Sequence, residues 1–300
     1  MENLTEFEYA KEKYKMTEQE CEQMYKEISK FIFENCVPNP KNPIAVITGG
    51  QPGSGKSSVV IKSKRDFAQT NENAAVLDVD TYRGLFKNSA LLAKEFPQYY
   101  SEITDPIVGK VMDKLVNETI RNGYNFIFEG TLGNTVIIDK IEKSDVNYKT
   151  IARLMAVSRY ESMFSVFERY IEMNKKMGMG RLTTIEAHDI RYNNFNKIAQ
   201  TLEKRGIEVE VYTRSEDFAN PTMIYKTSEE KKQYGSVMEA LIAGREDSYK
   251  KWKQTAEQRI EAINKDIKES NVDEEINEEL NKLNNIYKKE KDRELSGVEL

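Results

Sequence analysis

The stretch "ITGGQPGSGKSS", Ile47 to Ser58, decides the fold. Within it, Gly50-Gln51-Pro52-Gly53-Ser54-Gly55-Lys56-Ser57 matches the pattern G-x-x-x-x-G-K-[ST] in full. An apolar run, "IAVIT" at Ile44 to Thr48, leads into it and helix-forming sequence follows. Strand, glycine turn and helix in that order build a phosphate-binding loop, because Gly53 and Gly55 reach torsions closed to other residues and let successive amides turn inward. Gly50 to Ser58 are therefore assigned to the nucleotide, with Lys56 reaching the β- and γ-phosphates, Ser57 binding Mg²⁺, and the following helix adding its positive end. Motors, switches and kinases all use such a loop, so the destination of the phosphate has to be read from other residues.

Further short apolar runs follow: "AAVLDVD" (Ala74 to Asp80), "YNFIFEG" (Tyr124 to Gly130), "TIARLMAV" (Thr150 to Val157), "IEVEVYT" (Ile207 to Thr213) and "TMIYKT" (Thr222 to Thr227). Most are separated by segments long enough for a helix, which implies parallel pairing with helices on both faces. The fold class is α/β: a P-loop kinase-like parallel sheet flanked by helices, with an N-terminal helix and a charged C-terminal helical extension. Sites in such sheets gather at the carboxyl ends of the strands, where Gly50, Asp80 and Glu129 all fall.

Before the first strand, Cys21, Met24, Tyr25, Ile28, Phe31 and Ile32 recur at the spacing of one helix face, and Thr17 with Glu20 forms a capping box for a helix over Glu18 to Cys36. "PNPKNP" at Pro38 to Pro43 then breaks helical geometry. After Ser228 the chain is dominated by Lys, Glu and Asn, with apolar positions at Trp252, Ala256, Ile260, Ile263, Ile267, Ile276, Leu280, Leu283 and Tyr287. Steps of three and four give helices with a narrow seam, either a hairpin turning at Ser270 to Asp273 or a solvated tail. Three segments result: residues 1–40, an N-terminal helical segment; 41–228, the catalytic core; and 229–300, the charged extension.

The 300 residues carry a formal net charge of -5 with both signs interspersed, so no basic face for nucleic acid is evident. Two cysteines, Cys21 and Cys36, are too few for a disulfide framework, which fits a reducing cytoplasm. No run of roughly eighteen apolar residues occurs, so a membrane partner is not expected.

A kinase needs a carboxylate that takes a proton from the acceptor hydroxyl. Asp80, ending "LDVD", is assigned as that base, with Asp78 as a structural partner. Glu129, ending "IFE", either holds water on Mg²⁺ or binds a sugar or ribose hydroxyl, and Thr131 adds a hydroxyl to the same pocket. Charge spread over the transferring phosphoryl group calls for arginine, and "FERYIEMNKKMGMGRLTTIEAHD" offers Arg169 in a helix and Arg181 after a Gly/Met-rich loop. The single histidine, His188, is read as structural.

The elements "GGQPGSGKS", "LDVDTY", "IFEGT", "FERY" and an arginine followed by "AHD" resemble, in order and spacing over Ile44 to Tyr225, the zeta toxins, kinases of bacterial toxin–antitoxin systems. The resemblance implies phosphorylation of the 3′-hydroxyl of the amino sugar in UDP-N-acetylglucosamine by ATP or GTP with Mg²⁺, and a product that interferes with peptidoglycan synthesis. By motif, the resemblance implies that Lys56 and Ser57 take the phosphates and metal, Asp80 is the base and touches the substrate, Glu129 contacts substrate, Arg169 and Arg181 stabilise the transferring phosphoryl group, and Asp113 matches a substrate-binding glutamate one methylene longer. Gly133 stands where the family pattern has a substrate-contacting arginine. The resemblance also implies an antitoxin whose helix blocks the nucleotide site, a part for which the helix at Glu18 to Cys36 is a possible cis-acting substitute. Two alternatives stay open from the residues: a kinase of another hydroxyl acceptor, such as a nucleotide or an antibiotic, and a nucleotide-dependent binding or switch protein.

Overall fold

A computed structural model of the chain describes residues 4–96, 99–177, 182–230, 233–269 and 274–296. Among these, six strands are β1 (Ile44–Gly49), β2 (Ala75–Asp78), β3 (Phe126–Glu129), β4 (Lys149–Met155), β5 (Glu208–Thr213) and β6 (Thr222–Lys226). Twelve helices surround them: α1 (Glu6–Lys13), α2 (Glu18–Phe33), α3 (Lys56–Gln69), α4 (Val79–Arg83), α5 (Ser89–Glu95), α6 (Tyr100–Asn122), α7 (Val136–Glu142), α8 (Arg159–Met177), α9 (Ile185–Lys204), α10 (Val237–Lys253), α11 (Ala256–Glu269) and α12 (Glu274–Ser296). None is long and apolar enough to cross a membrane among the described residues.

The strands form one sheet in the order β2-β3-β1-β4-β5-β6. The first five pair in parallel, as the helix-length crossovers predict. The last pair departs from that expectation: β6 runs antiparallel to β5, because only Arg214 to Pro221 connect them and no crossover helix fits in that length.

Alternation along each strand sorts side chains to two faces. On one face Val46 and Ile127 pack against Val60 and Phe67 of α3. On the other, Ala45, Ile47, Leu77, Phe126, Leu154 and Val211 join α2, α6, α9 and α10 in the main core. Val237, Ala240 and Leu241 of α10 belong to this main core, so the change of composition after Ser228 does not mark its edge.

The capping box at Thr17 and Glu20 is formed in both directions. Met24, Ile28 and Ile32 of α2 are buried against α6, but Phe31 is 75% exposed, contrary to the one-face reading. The buried stripe leans toward Tyr25, where Glu118 of α6 accepts the Tyr25 and Ser29 hydroxyls at 2.7 and 3.0 Å, and Phe31 lies at its opposite margin. α2 is thus a core helix packed on α6 and β2.

The seam read along the C-terminal sequence is real and inward-facing. Trp252, Ala256, Ile263, Ile267, Leu280, Leu283 and Tyr287 close over Tyr160, Phe164, Phe167 and Tyr170 of α8. The turn placed at Ser270 to Asp273 lies outside the described residues.

Candidate active site

β1 delivers its chain end to a loop running from Gly50 to Gly55, and α3 begins at Lys56. Gly53 has φ 73° and Gly55 φ 86°, the left-handed region that favours glycine. A Cβ on Gly53 would also meet the Ser162 carbonyl at 2.0 Å, so the loop is pressed against α8. Lys56 Nζ folds back to donate to the Gln51 carbonyl at 3.1 Å. The exposed Ser57 donates its Oγ to Glu129 Oε1 at 3.1 Å, whereas Ser58 is buried and donates to the Gly55 carbonyl at 2.8 Å. Of the two serines, only Ser57 presents its hydroxyl toward the carboxylate side.

The carboxylates arrive on adjacent strands. β2 and β3 pair so that Asp78 stands beside Glu129. Asp80, expected at the end of this strand, instead occupies the first turn of α4, because the strand stops at Asp78. The reason is local: the Asp78 carboxylate accepts from the Asp80 and Thr81 N–H groups at 3.0 and 3.3 Å and starts a helix there. Asp78 is therefore structural, as read. Buried Arg83, one turn after Asp80, pairs with Asp105 at 2.5 Å and reaches to 3.7 Å from Asp80 Oδ1.

Electrostatics show which of these groups share one site. Burial pushes the Lys56 ammonium down to about 8, against the pull of Glu129 and Asp80, and the positive charges of Arg169 and Arg191 add to the downward shift. Burial pushes the Glu129 carboxyl above its ordinary range, with the neighbouring Asp78 charge adding to it and Lys56 and Ser57 opposing. Lys56 thus lies within electrostatic reach of Glu129, Asp80 and Arg169. The Thr131 carbonyl accepts from the Gly50 N–H at 3.5 Å, which keeps the chain after β3 beside the loop. Asp113, on α6, is paired with Lys140 at 2.7 Å and accepts from Asn117 at 3.1 Å, so its carboxylate is held by α6 and α7 side chains. Arg181 lies outside the described residues.

Among the described residues no three or more of His, Cys, Asp and Glu are grouped to hold a metal. The Ser57 hydroxyl beside the Glu129 carboxylate is a pair of hard oxygen donors, which fits Mg²⁺ completed by phosphate and water oxygens better than a metal held by protein alone.

Three features escaped the sequence reading. Gln51 is fully buried and donates through Nε2 to the Val157 carbonyl at 2.8 Å and to Ser162 Oγ at 3.0 Å. Ser162 Oγ lies 2.9 Å from His188 Nε2, and His188 Nδ1 lies 3.2 Å from Asp189, which Arg159 grips at 2.8 and 2.6 Å. Burial holds His188 down at about 4 against the pull of Asp189, so it is neutral. One proton then suffices for the chain: Nδ1–H donates to Asp189 and Nε2 accepts from Ser162. The histidine is structural, as read, but its task is to fasten the phosphate loop to α8 and α9. Arg191, three residues further along α9, is the second missed feature, and helical spacing from His188 was the available signal. The third, Arg214, stands one residue after β5, at the strand end where sites of this sheet type gather.

A mostly parallel sheet whose central strand gives a glycine loop and a lysine to a helix start, with carboxylates from two neighbouring strands at the same end, defines the P-loop class of α/β fold. The zeta toxin family model matches residues 12–230, and the chain belongs to that family. It is 30% identical over 181 residues to Toxin zeta of Enterococcus hirae, covering 58% of this chain and 62% of that one. It is 25% identical over 234 residues to Toxin PezT of Streptococcus pneumoniae serotype 4, covering 76% and 87% of the two chains. The chain thus spans about three fifths of the length of the Toxin zeta relatives. A solved structure from the PezAT chromosomal toxin–antitoxin system of S. pneumoniae shares the fold with a TM-score of 0.67 at 21% identity, over 84% of this chain and 98% of that one.

Proposed function

We propose that the protein is a kinase that moves the γ-phosphoryl group of ATP or GTP to the 3′-hydroxyl of the amino sugar of UDP-N-acetylglucosamine, and that it is the toxin of a toxin–antitoxin pair. The observation that carries the kinase reading is the convergence of Lys56, Ser57, Glu129 and Asp80 on one sheet end, with Ser57 bonded to Glu129. Family membership and the toxin–antitoxin system of the PezAT structure support the toxin role and a protein antitoxin as partner.

In this reading Lys56 and the loop amides bind the β- and γ-phosphates, and Asp80 takes the proton from the sugar hydroxyl. The hydroxyl oxygen bonds to the γ-phosphorus, the bond from that phosphorus to the β,γ-bridging oxygen breaks, and the nucleoside diphosphate leaves. Arg169, with Arg181, offsets the charge on the transferring group. Mg²⁺, held by Ser57 and phosphate oxygens with Glu129 beside them, would neutralise phosphate charge. Glu129, Thr131 and Asp113 are assigned to the sugar nucleotide. One specific observation favours a second reading, another hydroxyl acceptor: Gly133 supplies no side chain where the family pattern has an arginine, and Asp113 is engaged by Lys140.

The test is mass spectrometry of UDP-N-acetylglucosamine after incubation with ATP, Mg²⁺ and the protein. A monophosphorylated product that needs Asp80 supports the proposal. ATP consumed without that product moves the acceptor elsewhere, and slow hydrolysis indifferent to acceptor and to Asp80→Asn favours a switch protein.

A further inference from the structure

Arg214 has no part in the chemistry described so far, yet its side chain runs along the phosphate loop. Its Nη2 donates to the Gly53 carbonyl and its Nε to the Ser54 carbonyl at 3.4 Å. A Cβ on Gly55 would come within 3.4 Å of the same Nε. The remaining fork is also occupied, with Nη1 donating to Glu161 Oε1 at 2.8 Å and to Ser165 Oγ at 3.1 Å on α8.

These partners are themselves held. Ser248 of α10 donates to the second Glu161 oxygen, and Arg259 of α11 donates to Ser165 Oγ at 3.2 Å while gripping Glu168 at 2.7 and 2.6 Å. The guanidinium is thereby fixed between the loop and α8, whose side chains are held in turn by helices that the sequence alone set apart as a charged extension.

In a trans peptide the carbonyl and the N–H point in opposite directions. A donor that pins the Gly53 and Ser54 carbonyls on one side therefore turns the Ser54 and Gly55 N–H groups to the other. That other side is the one Lys56 occupies: Ser54 N–H and Lys56 Nζ both donate to the Gln51 carbonyl, each at 3.1 Å. We propose that Arg214 is a positioning residue of the phosphate loop, which it holds by two successive carbonyls so that the loop's amides face a polyphosphate. A planar fork with five donors reaches two carbonyls and a carboxylate at once, whereas a lysine ammonium at the end of a flexible stem does not. The proposal rests on the reading of this loop as a phosphate site.

The test compares ATP and inorganic tripolyphosphate, both with Mg²⁺, as competitors of a fluorescent ATP analogue on the wild-type, Arg214→Ala and Arg214→Lys full-length chains. Arg214→Ala is expected to weaken both ligands together by about tenfold or more, the loss that follows from removing charged hydrogen bonds of this kind. Arg214→Lys is expected to recover less than half of that loss on a logarithmic scale. Amide exchange at Ser54 and Gly55, faster in Arg214→Lys than in wild type, reads the same grip if the alanine variant does not fold. Binding unchanged in both variants overturns the proposal. So does weakening of ATP without tripolyphosphate, which would put Arg214 on the base, and so does full rescue by lysine, which would make charge alone sufficient. A wild-type chain that binds neither ligand would instead sink the phosphate-site reading itself.

Discussion

Lys56 is the residue of the site whose charge should respond most directly to a bound phosphate. Its ammonium is pushed down to about 8 by burial, and phosphate oxygens favour its protonated form. Nucleotide affinity is therefore expected to fall as pH rises through about 8, with proton uptake on binding near that pH. Calorimetry of ATP binding in buffers of different ionisation enthalpy reads that uptake, and Lys56→Ala should abolish both the uptake and most of the affinity. Asp80 makes the complementary case. Asp80→Asn keeps shape but removes the proton acceptor, so turnover should fall by about two to four orders of magnitude while ATP affinity stays near normal. Turnover retained by Asp80→Asn would put the base elsewhere.

At the scale of elements, α2 and α9 are tied to the core in ways that predict stability. Ile28, on the buried face of α2, is 1% exposed, and Ile28→Ala should cost roughly 2–5 kcal/mol in denaturant unfolding. Removing residues 1–38 should accordingly give an unstable chain. A stable, more active truncation would mean that α2 inhibits after all. On α9, His188 is fully buried and held neutral, with an ordinary value of 6.5 lowered to about 4. The unfolded chain takes up the proton near 6.5 and the folded chain only near 4, so stability falls as pH drops through this window, by up to about 3 kcal/mol from this residue. Asp189 acts in the same sense at lower pH, since the Arg159 grip outweighs burial and holds its carboxyl below the ordinary range. Melting curves from pH 7 to 4 check the slope, and His188→Gln should flatten it.

Over the whole molecule, the C-terminal helices are part of the structure that aims the site. α11 and α12 cover the aromatic face of α8 with Ile263, Leu283 and Tyr287, and α8 carries Arg169 and the partners of Arg214. Deleting residues 254–300 should therefore lower both the melting temperature and the affinity for ATP. A truncated chain that binds ATP as tightly as the full one would show that α8 keeps its place without them.

By itself the sequence determined the phosphate loop, the identity of the carboxylate strands and the sheet class, because glycine torsions, strand alternation and capping boxes are written in residues close together in the chain. It could not order the strands, since pairing joins residues far apart, whereas the antiparallel β5–β6 edge follows from a connection of only Arg214 to Pro221, a local signal in the sequence. Nor could it separate a solvated tail from the lid over α8, because a seam of apolar residues at helical spacing does not name the surface it covers. Tertiary structure also decided that Gln51, Ser162 and His188 form one chain and that Arg214 reaches Gly53: these groups stand 111, 26 and 161 residues apart, and only the folded sheet end brings them within hydrogen-bond distance.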